Sequence, residues 1–219
     1  MMKHARWIDG QAFAQPIGKI VCVGRNYAAH ARELGNAVPE SPILFIKPNT
    51  AVVDLADRFQ LGGRGENVHF ETEVAVLIGR TLTAATEAEA VQAIAGLGLA
   101  LDLTLRSVQT TLKDKGLPWE LAKAFDGACP LSAFVPYAGQ DLGSLQFALE
   151  VDGTRRQKGD SAAMLTPIPR LLSCMSLHFT LQPGDVVLTG TPAGVGELHR
   201  GARLRLSSSF LPELCCQVD

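Results

Sequence analysis

The sequence predicts an α+β protein, and three observations carry that reading. Val74 to Ile78 and Gly98 to Thr104 are apolar runs of strand length. Asp152-Gly153 sits between two further strand-like runs and is the dipeptide of a tight hairpin turn. Thr86-x-x-Glu89 and Thr166-Pro167 are helix starts, the first a capping box and the second a cap followed by proline.

The elements follow in order. Residues 1 to 18 read as a loose lead-in holding at most one short hairpin, which ends near Pro16. Lys19 to Val23 reads as a strand, and Tyr27 to Leu34 as a helix closed by Gly35. Ile43 to Ile46 is a short strand ending in Lys47-Pro-Asn49. Asp57 to Asn67 is Gly-rich and charged and reads as a surface loop. A helix runs from Thr86 to about Ala95. After Asp102, Arg106 and Gln109 lie three apart on a helical turn, and Pro118 to Phe125 is a second helical stretch carrying Lys123. Leu145 to Val151 and a strand from Thr154 flank the hairpin turn. Ile168, Leu171, Leu172 and Met175 repeat at helical spacing, so this helix turns one face to the core. Leu181 to Asp185 turns into the strand Val186 to Thr189, and Arg203 to Leu206 alternates as an exposed strand would.

Composition bounds the rest. A chain of 219 residues suits one large domain, with or without a small N-terminal appendage, and 47% hydrophobic residues allow a sizeable core. Net charge is −2, pI is about 6.2, and no Lys/Arg cluster points to nucleic acid or an anionic membrane. No signal-peptide core follows the first residues and no apolar run reaches transmembrane length. Five cysteines, at 22, 129, 174, 215 and 216, form no C-x-x-C. That pattern predicts a reducing cytoplasm and buried thiols in preference to a disulfide framework.

The chemistry gathers at His69-x-Glu71-x-Glu73. A strand through these residues puts all three on one face, by the period of two. Two buried carboxylates side by side repel and raise each other's pKa unless a cation sits between them. The other reading is a wet strand end with two solvated glutamates. Asp102, inside a second apolar run, favours the ion; alone it would read as a cap before a helix. With no Cys-His spacing to suit zinc, an all-oxygen set predicts Mg²⁺ or Mn²⁺.

His30 and Glu33 share a helix face, either as a carboxylate orienting an imidazole base or as a chance exposed pair. Lys47 is either a contact for an anionic substrate group or a surface lysine at a strand end. The loop Gly190 to Gly196 can offer backbone N–H groups and the Thr191 hydroxyl to a carboxylate, and it is not a nucleotide phosphate loop.

Six segments together resemble the fumarylacetoacetate hydrolase superfamily: Gly24-Arg-Asn-Tyr27, Lys47-Pro48, His69-x-Glu-x-Glu73, Asp102-x-Thr-x-Arg106, Asp185-Val-Val-x-Thr-Gly-Thr-Pro192 and Gly194-Val-Gly196. Each is weak alone; in unbroken order over about residues 18 to 206 they resemble its small single-domain branch of acylpyruvate hydrolases and oxaloacetate decarboxylases. The resemblance implies a mixed β-roll with peripheral helices, a divalent metal and a homodimer, with residues 1–17 a lead-in and 18–219 the catalytic domain. It implies Glu71, Glu73 and Asp102 as metal ligands and His30 with Glu33 as the water-activating dyad. Arg25, Lys47, Arg106, Gln109 and Thr191 become substrate contacts, and Lys123 a catalytic cation. Two departures stand out. Ala202 follows Gly201 where the family usually has an acidic residue, and the tail Ser207 to Asp219 does not look like the usual final strand.

The resemblance implies hydrolysis of a C–C bond in a β-diketo acid of the acylpyruvate type. His30 would take a proton from water and hydroxide would attack the distal carbonyl. Arg106, Gln109 or Lys123 would hold the oxyanion, and a pyruvate enolate would leave. Oxaloacetate decarboxylation and isomerisation of a hydroxydienedioate share that enolate and are the alternatives. A non-catalytic module built on a structural ion is the reading from outside enzymology; cationic substrate contacts and a base argue against it.

Overall fold

The structure is a computed structural model that describes residues 2–62 and 67–219. Its centre is an eight-stranded mixed sheet. In spatial order this sheet runs Ile43–Pro48, Lys19–Gly24, Val186–Leu188, Thr72–Ile78, Ile94–Leu101, Cys129–Leu131 and Val52–Asp54, with Val135–Pro136 also paired to Ile94–Leu101. A five-stranded sheet runs Thr154–Asp160, Gln146–Val151, Arg203–Ser208, Leu214–Val218 and Arg58–Phe59. A small third sheet joins Thr104–Leu105, Val68–Phe70 and Gly196–Glu197. The curled sheets and the few short helices around them form the expected α+β roll.

Thr72–Ile78 is the spine. All of its residues are buried, because both faces of the sheet are covered. Val74, Val76 and Ile78 enter one apolar cluster, while Ala75 and Leu77 enter a second with Ile20 and Cys22. The period of two thus divides one strand between two cores. Each fully buried aliphatic side chain contributes about 1.5–3 kcal/mol, which fixes the register strongly. The helix Ile168–His178 seats Ile168, Leu171, Leu172 and Met175 in the first cluster, the stripe its spacing predicts.

Several expectations need correction. Thr166 does not cap that helix; Pro167 takes the cap position. Asn26 instead holds both backbone groups of Thr166, accepting from its N–H at 2.8 Å and donating to its carbonyl at 3.0 Å. The capping box at Thr86 forms, but the helix ends at Gln92, because strand Ile94–Leu101 begins two residues on. The expected surface loop after Asp57 contains the strand Arg58–Phe59, with Phe59 and Leu61 buried; residues 63–66 of that loop lie outside the described residues. The atypical tail does form a final strand, Leu214–Val218, antiparallel to Arg203–Ser208 and parallel to Arg58–Phe59. Strand Arg203–Ser208 is not simply exposed, because Leu204 and Leu206 are buried beneath it. The lead-in, as expected, folds as a short hairpin, of His4–Arg6 and Ala12–Pro16. Of the thiols, Cys22, Cys129 and Cys216 are buried, whereas Cys215 is exposed and Cys174 half-buried.

Candidate active site

The strand expected through residues 69 to 73 breaks at Glu71. Val68–Phe70 pairs within the small sheet, and Thr72–Ile78 enters the central one. Glu73 lies opposite Ala100, and beyond the last rung the Asp102 amide donates to the Glu71 carbonyl at 2.8 Å. That added bond sets Glu71 and Asp102 face to face where the ladder ends. Oxygens of Glu71, Glu73 and Asp102 all lie within 4.8 Å of one another, at exposures of 4%, 1% and 1%. His69 separates from them. It does not line the cavity that Glu71 and Glu73 line, and burial, then the nearby Arg106, lowers its pKa.

Cations surround the acids. Lys123 Nζ donates to Glu71 Oε2 at 2.8 Å and to Asp102 Oδ2 at 2.7 Å. Arg106 bonds the other oxygen of Glu71 and donates to Gln109 Oε1 at 2.7 Å. Lys47, fully buried, sits 2.7 Å from Asp102 Oδ1 and bonds the carbonyls of Leu103 and Lys123. The pKa directions follow. Burial pushes Glu71 up, but Lys123 and then Arg106 outweigh it, and the net direction is down. Burial would lower Lys123, but Asp102 and Glu71 raise it above the ordinary lysine value. Glu73 forms no ion pair among the described residues, and Lys123 lowers its pKa only weakly. Burial first, then Asp102 and Glu71, push it well above the carboxylate range, against one hydrogen bond from the Gly190 amide at 2.6 Å. Gly190 has φ +95°, and a Cβ there would meet Asn26 Cβ at 2.6 Å, so only glycine brings this amide to Glu73.

The donor set fits a hard divalent ion. All three groups offer carboxylate oxygen, and Asp102 Oδ1, though paired in charge with Lys47, receives no hydrogen bond. A cation between the acids would also relieve the repulsion that raises the Glu73 pKa.

One cavity of about 30 Å³ collects most of the residues the sequence singles out. His30, Glu71, Glu73 and Lys123 line it, together with Arg25, Arg106, Gln109 and Thr191. Glu33, Lys47 and Asp102 stand behind this wall, so Lys47 supports Asp102 and does not reach the cavity. His30 is 5% exposed, and its Nδ1 lies 3.5 Å from Glu33 Oε2. Glu33 is held in turn by the Gly194 amide at 2.9 Å. The short helix Ala28–Glu33 thereby presents its imidazole to the acids across the cavity.

Four further residues belong to this region. Asn36, Lys113 and Trp119 line the cavity. Gln157, 1% exposed, lies behind it: its Oε1 accepts from the Thr72 amide at 2.9 Å, and its Nε2 donates to Thr191 Oγ1 at 2.8 Å and to the Pro192 carbonyl at 2.9 Å. It clamps the loop bearing Gly190 and Gly194 to the strand bearing Glu73. Lys113 had a sequence signal, at i+7 from Arg106 on the same helix face.

A buried acidic triad with an imidazole facing it across a small cationic cavity, on a mixed β-roll, is the site of a family of enzymes, with a donor set that could hold a divalent ion. The chain belongs to the fumarylacetoacetate hydrolase family, whose model, fumarylacetoacetate (FAA) hydrolase C-terminal, matches residues 19–219. It is 51% identical to oxaloacetate tautomerase YcgM of Escherichia coli (strain K12) over 94% of this chain and 95% of that protein. It is 46% identical to the mitochondrial oxaloacetate tautomerase FAHD1 of Homo sapiens over 91% of each chain. Among solved structures it resembles fumarylpyruvate hydrolase from Pseudomonas aeruginosa in complex with Mn²⁺ and pyruvate, with TM-score 0.91, 34% identity, and coverage of 99% of this chain and 95% of that one.

Proposed function

We propose that this protein is a metal-dependent tautomerase of a small 2-oxo acid, with oxaloacetate as the preferred reading. The observation that carries it is one cavity lined by an imidazole, His30, by the carboxylates Glu71 and Glu73, with Asp102 within 4.8 Å of them behind the wall, and by the cations Arg106 and Lys123. Such a site can take a proton from the carbon beside a ketone and hold the negative oxygen that results. The similarity to oxaloacetate tautomerases over nearly the whole chain supports the substrate.

Glu71, Glu73 and Asp102 would hold a divalent ion of the Mg²⁺ or Mn²⁺ kind, which supplies Lewis-acid stabilisation of an enolate oxygen. The chain's own residues do the rest. Glu33 orients the His30 ring through Nδ1 and leaves Nε2 to remove a proton from C3 of the keto acid. The C–H pair becomes the C=C of the enol, the carbonyl electrons move to oxygen, and a proton returned there completes the exchange. Arg106 and Lys123 place positive charge near the developing oxyanion, and Gln109 offers an amide beside them.

C–C hydrolysis of an acylpyruvate is the second reading. The His30–Glu33 pair favours it, since the same base can act on water, as does likeness to a fumarylpyruvate hydrolase. A homodimer and a reducing compartment belong to this proposal; five free thiols support the latter, and among the described residues no helix is long and apolar enough to cross a membrane.

The test is a panel assay with Mg²⁺ or Mn²⁺, following enol absorbance of oxaloacetate and pyruvate release from acetylpyruvate and fumarylpyruvate. Rapid enol–keto conversion with little hydrolysis is expected. Efficient hydrolysis with no acceleration of tautomerisation overturns the first reading in favour of the second.

A further inference from the structure

We infer that Arg25 and Lys113 form a second anion subsite, which selects 2-oxo acids carrying a second carboxylate; this deepens the proposed function and rests on it for the substrate's 2-oxo end. The argument begins with charge that nothing in the site uses. Arg106 and Lys123 are committed to Glu71 and Asp102. Lys47 is committed to Asp102 behind the wall. Arg25 and Lys113 line the same cavity, yet among the described residues neither forms an ion pair. Lys113 donates only to a neutral group, Asn36 Oδ1, at 2.7 Å.

Both side chains are directed there by the backbone. Helix Arg106–Asp114 carries Arg106, Gln109 and Lys113 at i, i+3 and i+7, so one face lines the cavity from the acids outward. Arg25 has φ +59°, the left-handed region that residues other than glycine seldom adopt. The next residue, Asn26, is fixed by bonds to Thr166 and to the Thr189 carbonyl, so the turn cannot relax cheaply. Strain of this kind persists where surrounding structure demands it and gathers at ligand clamps.

The two cations also repel each other. Burial first, then Arg25 and Arg106, lowers the Lys113 pKa, so the ammonium sits in a field short of negative charge. A divalent ion held by Glu71, Glu73 and Asp102 would add two more positive charges to the same chamber. A substrate with one carboxylate, were that group taken up at the acid end, would leave Arg25 and Lys113 facing each other unneutralised. A dicarboxylate brings the missing charge, and arginine and lysine are the side chains that hold carboxylates best. The subsite therefore takes the distal carboxylate of a short 2-oxo dicarboxylic acid.

The experiment compares substrates with and without that group. C3 proton exchange into D₂O, read by NMR with Mg²⁺ present, follows oxaloacetate and 2-oxobutanoate in the same assay. The wild type should favour oxaloacetate in kcat/KM, and Lys113→Met or Arg25→Met should each reduce that preference by about 10-fold or more, chiefly through KM. In parallel, calorimetry compares malate with lactate, which differ by one carboxylate and do not react. Wild type should bind malate at least about 10-fold more tightly, and either substitution should erase the difference. An unchanged preference in both variants, or equal losses for both members of each pair, overturns the subsite. Should the wild type exchange neither keto acid, the tautomerase reading fails, while malate against lactate still decides the subsite.

Discussion

The backbone amide of Gly194 donates to both carboxylate oxygens of Glu33, at 2.9 and 3.2 Å, joining a loop near the end of the chain to the helix that carries His30. The loop that steadies Glu73 through Gly190 thus also steadies the base. Gly194 has φ +99°, and a Cβ there would fall 1.9 Å from the Arg156 carbonyl oxygen. Gly194→Ala must displace the loop. Losing the charge-assisted bond to Glu33 should lower kcat by roughly 10- to 100-fold, from about 1.5–3 kcal/mol, with the fold retained by circular dichroism. Metal affinity measured by calorimetry should change less than kcat; the reverse order would mean that the loop acts through Glu73 alone.

Removing the ion should remove turnover. Dialysis against EDTA is expected to abolish activity, and Mg²⁺ or Mn²⁺ to restore it. Glu73→Gln keeps the shape and removes a charge that burial, Asp102 and Glu71 disfavour, but cannot become a carboxylate ligand. Its metal-free stability should match or exceed the wild type, while its metal affinity falls at least about 10-fold, the scale for losing a charged contact. Undiminished activity in protein shown metal-free by elemental analysis would refute the metal requirement.

Lys123→Met tests the apo balance of charge. Lys123 is 3% exposed and is the cation shared by Glu71 and Asp102. Its loss leaves two buried carboxylates without that partner, which costs about 3–5 kcal/mol. Denaturant unfolding should show this fall in metal-free protein and a smaller one with saturating Mg²⁺, because the ion replaces the lost charge. A loss identical in both conditions would place Lys123 outside the electrostatics of the triad.

His30→Ala separates two reactions. A base is required to form hydroxide from water, so acylpyruvate hydrolysis should drop by about 10²–10⁴-fold. Spontaneous oxaloacetate decarboxylation accelerated by the loaded site needs no such base and should fall far less. Equal losses would assign His30 to ordering the short helix Ala28–Glu33, which hydrogen exchange over residues 26–38 with and without oxalate would then report.

How much of this was legible in the sequence depends on local contrast. Glu71, Glu73 and Asp102 stand out because carboxylates interrupt apolar strands, where burial carries a large cost. His30 and Glu33 needed only helical spacing to be paired. Gln157 could not be read. The turn at Asp152-Gly153 sets a simple register that would place Arg156 opposite Leu149, but a bulge between Leu149 and Glu150 shifts the pairing and puts Gln157 there instead. Arg58–Phe59 is too short to show any period, and its strand exists only because the tail pairs with it. Asn36 and Trp119 look like ordinary surface residues until helix Arg106–Asp114 and the loop after Glu33 meet over the cavity.

The bond from the Asp102 amide to the Glu71 carbonyl, and that from Gly190 to Glu73 across 117 residues, have a kinetic consequence. The first requires the central strands to have zipped to their final rung. The second requires a segment synthesised long afterwards. A nascent or partly folded chain therefore offers no ordered oxygen cage, and pairings of such sequence separation close late. An ion should bind only behind the rate-limiting barrier to folding. It would then slow unfolding in proportion to its occupancy and leave the refolding rate untouched, so that divalent ions lengthen the lifetime of the finished protein without helping it to form.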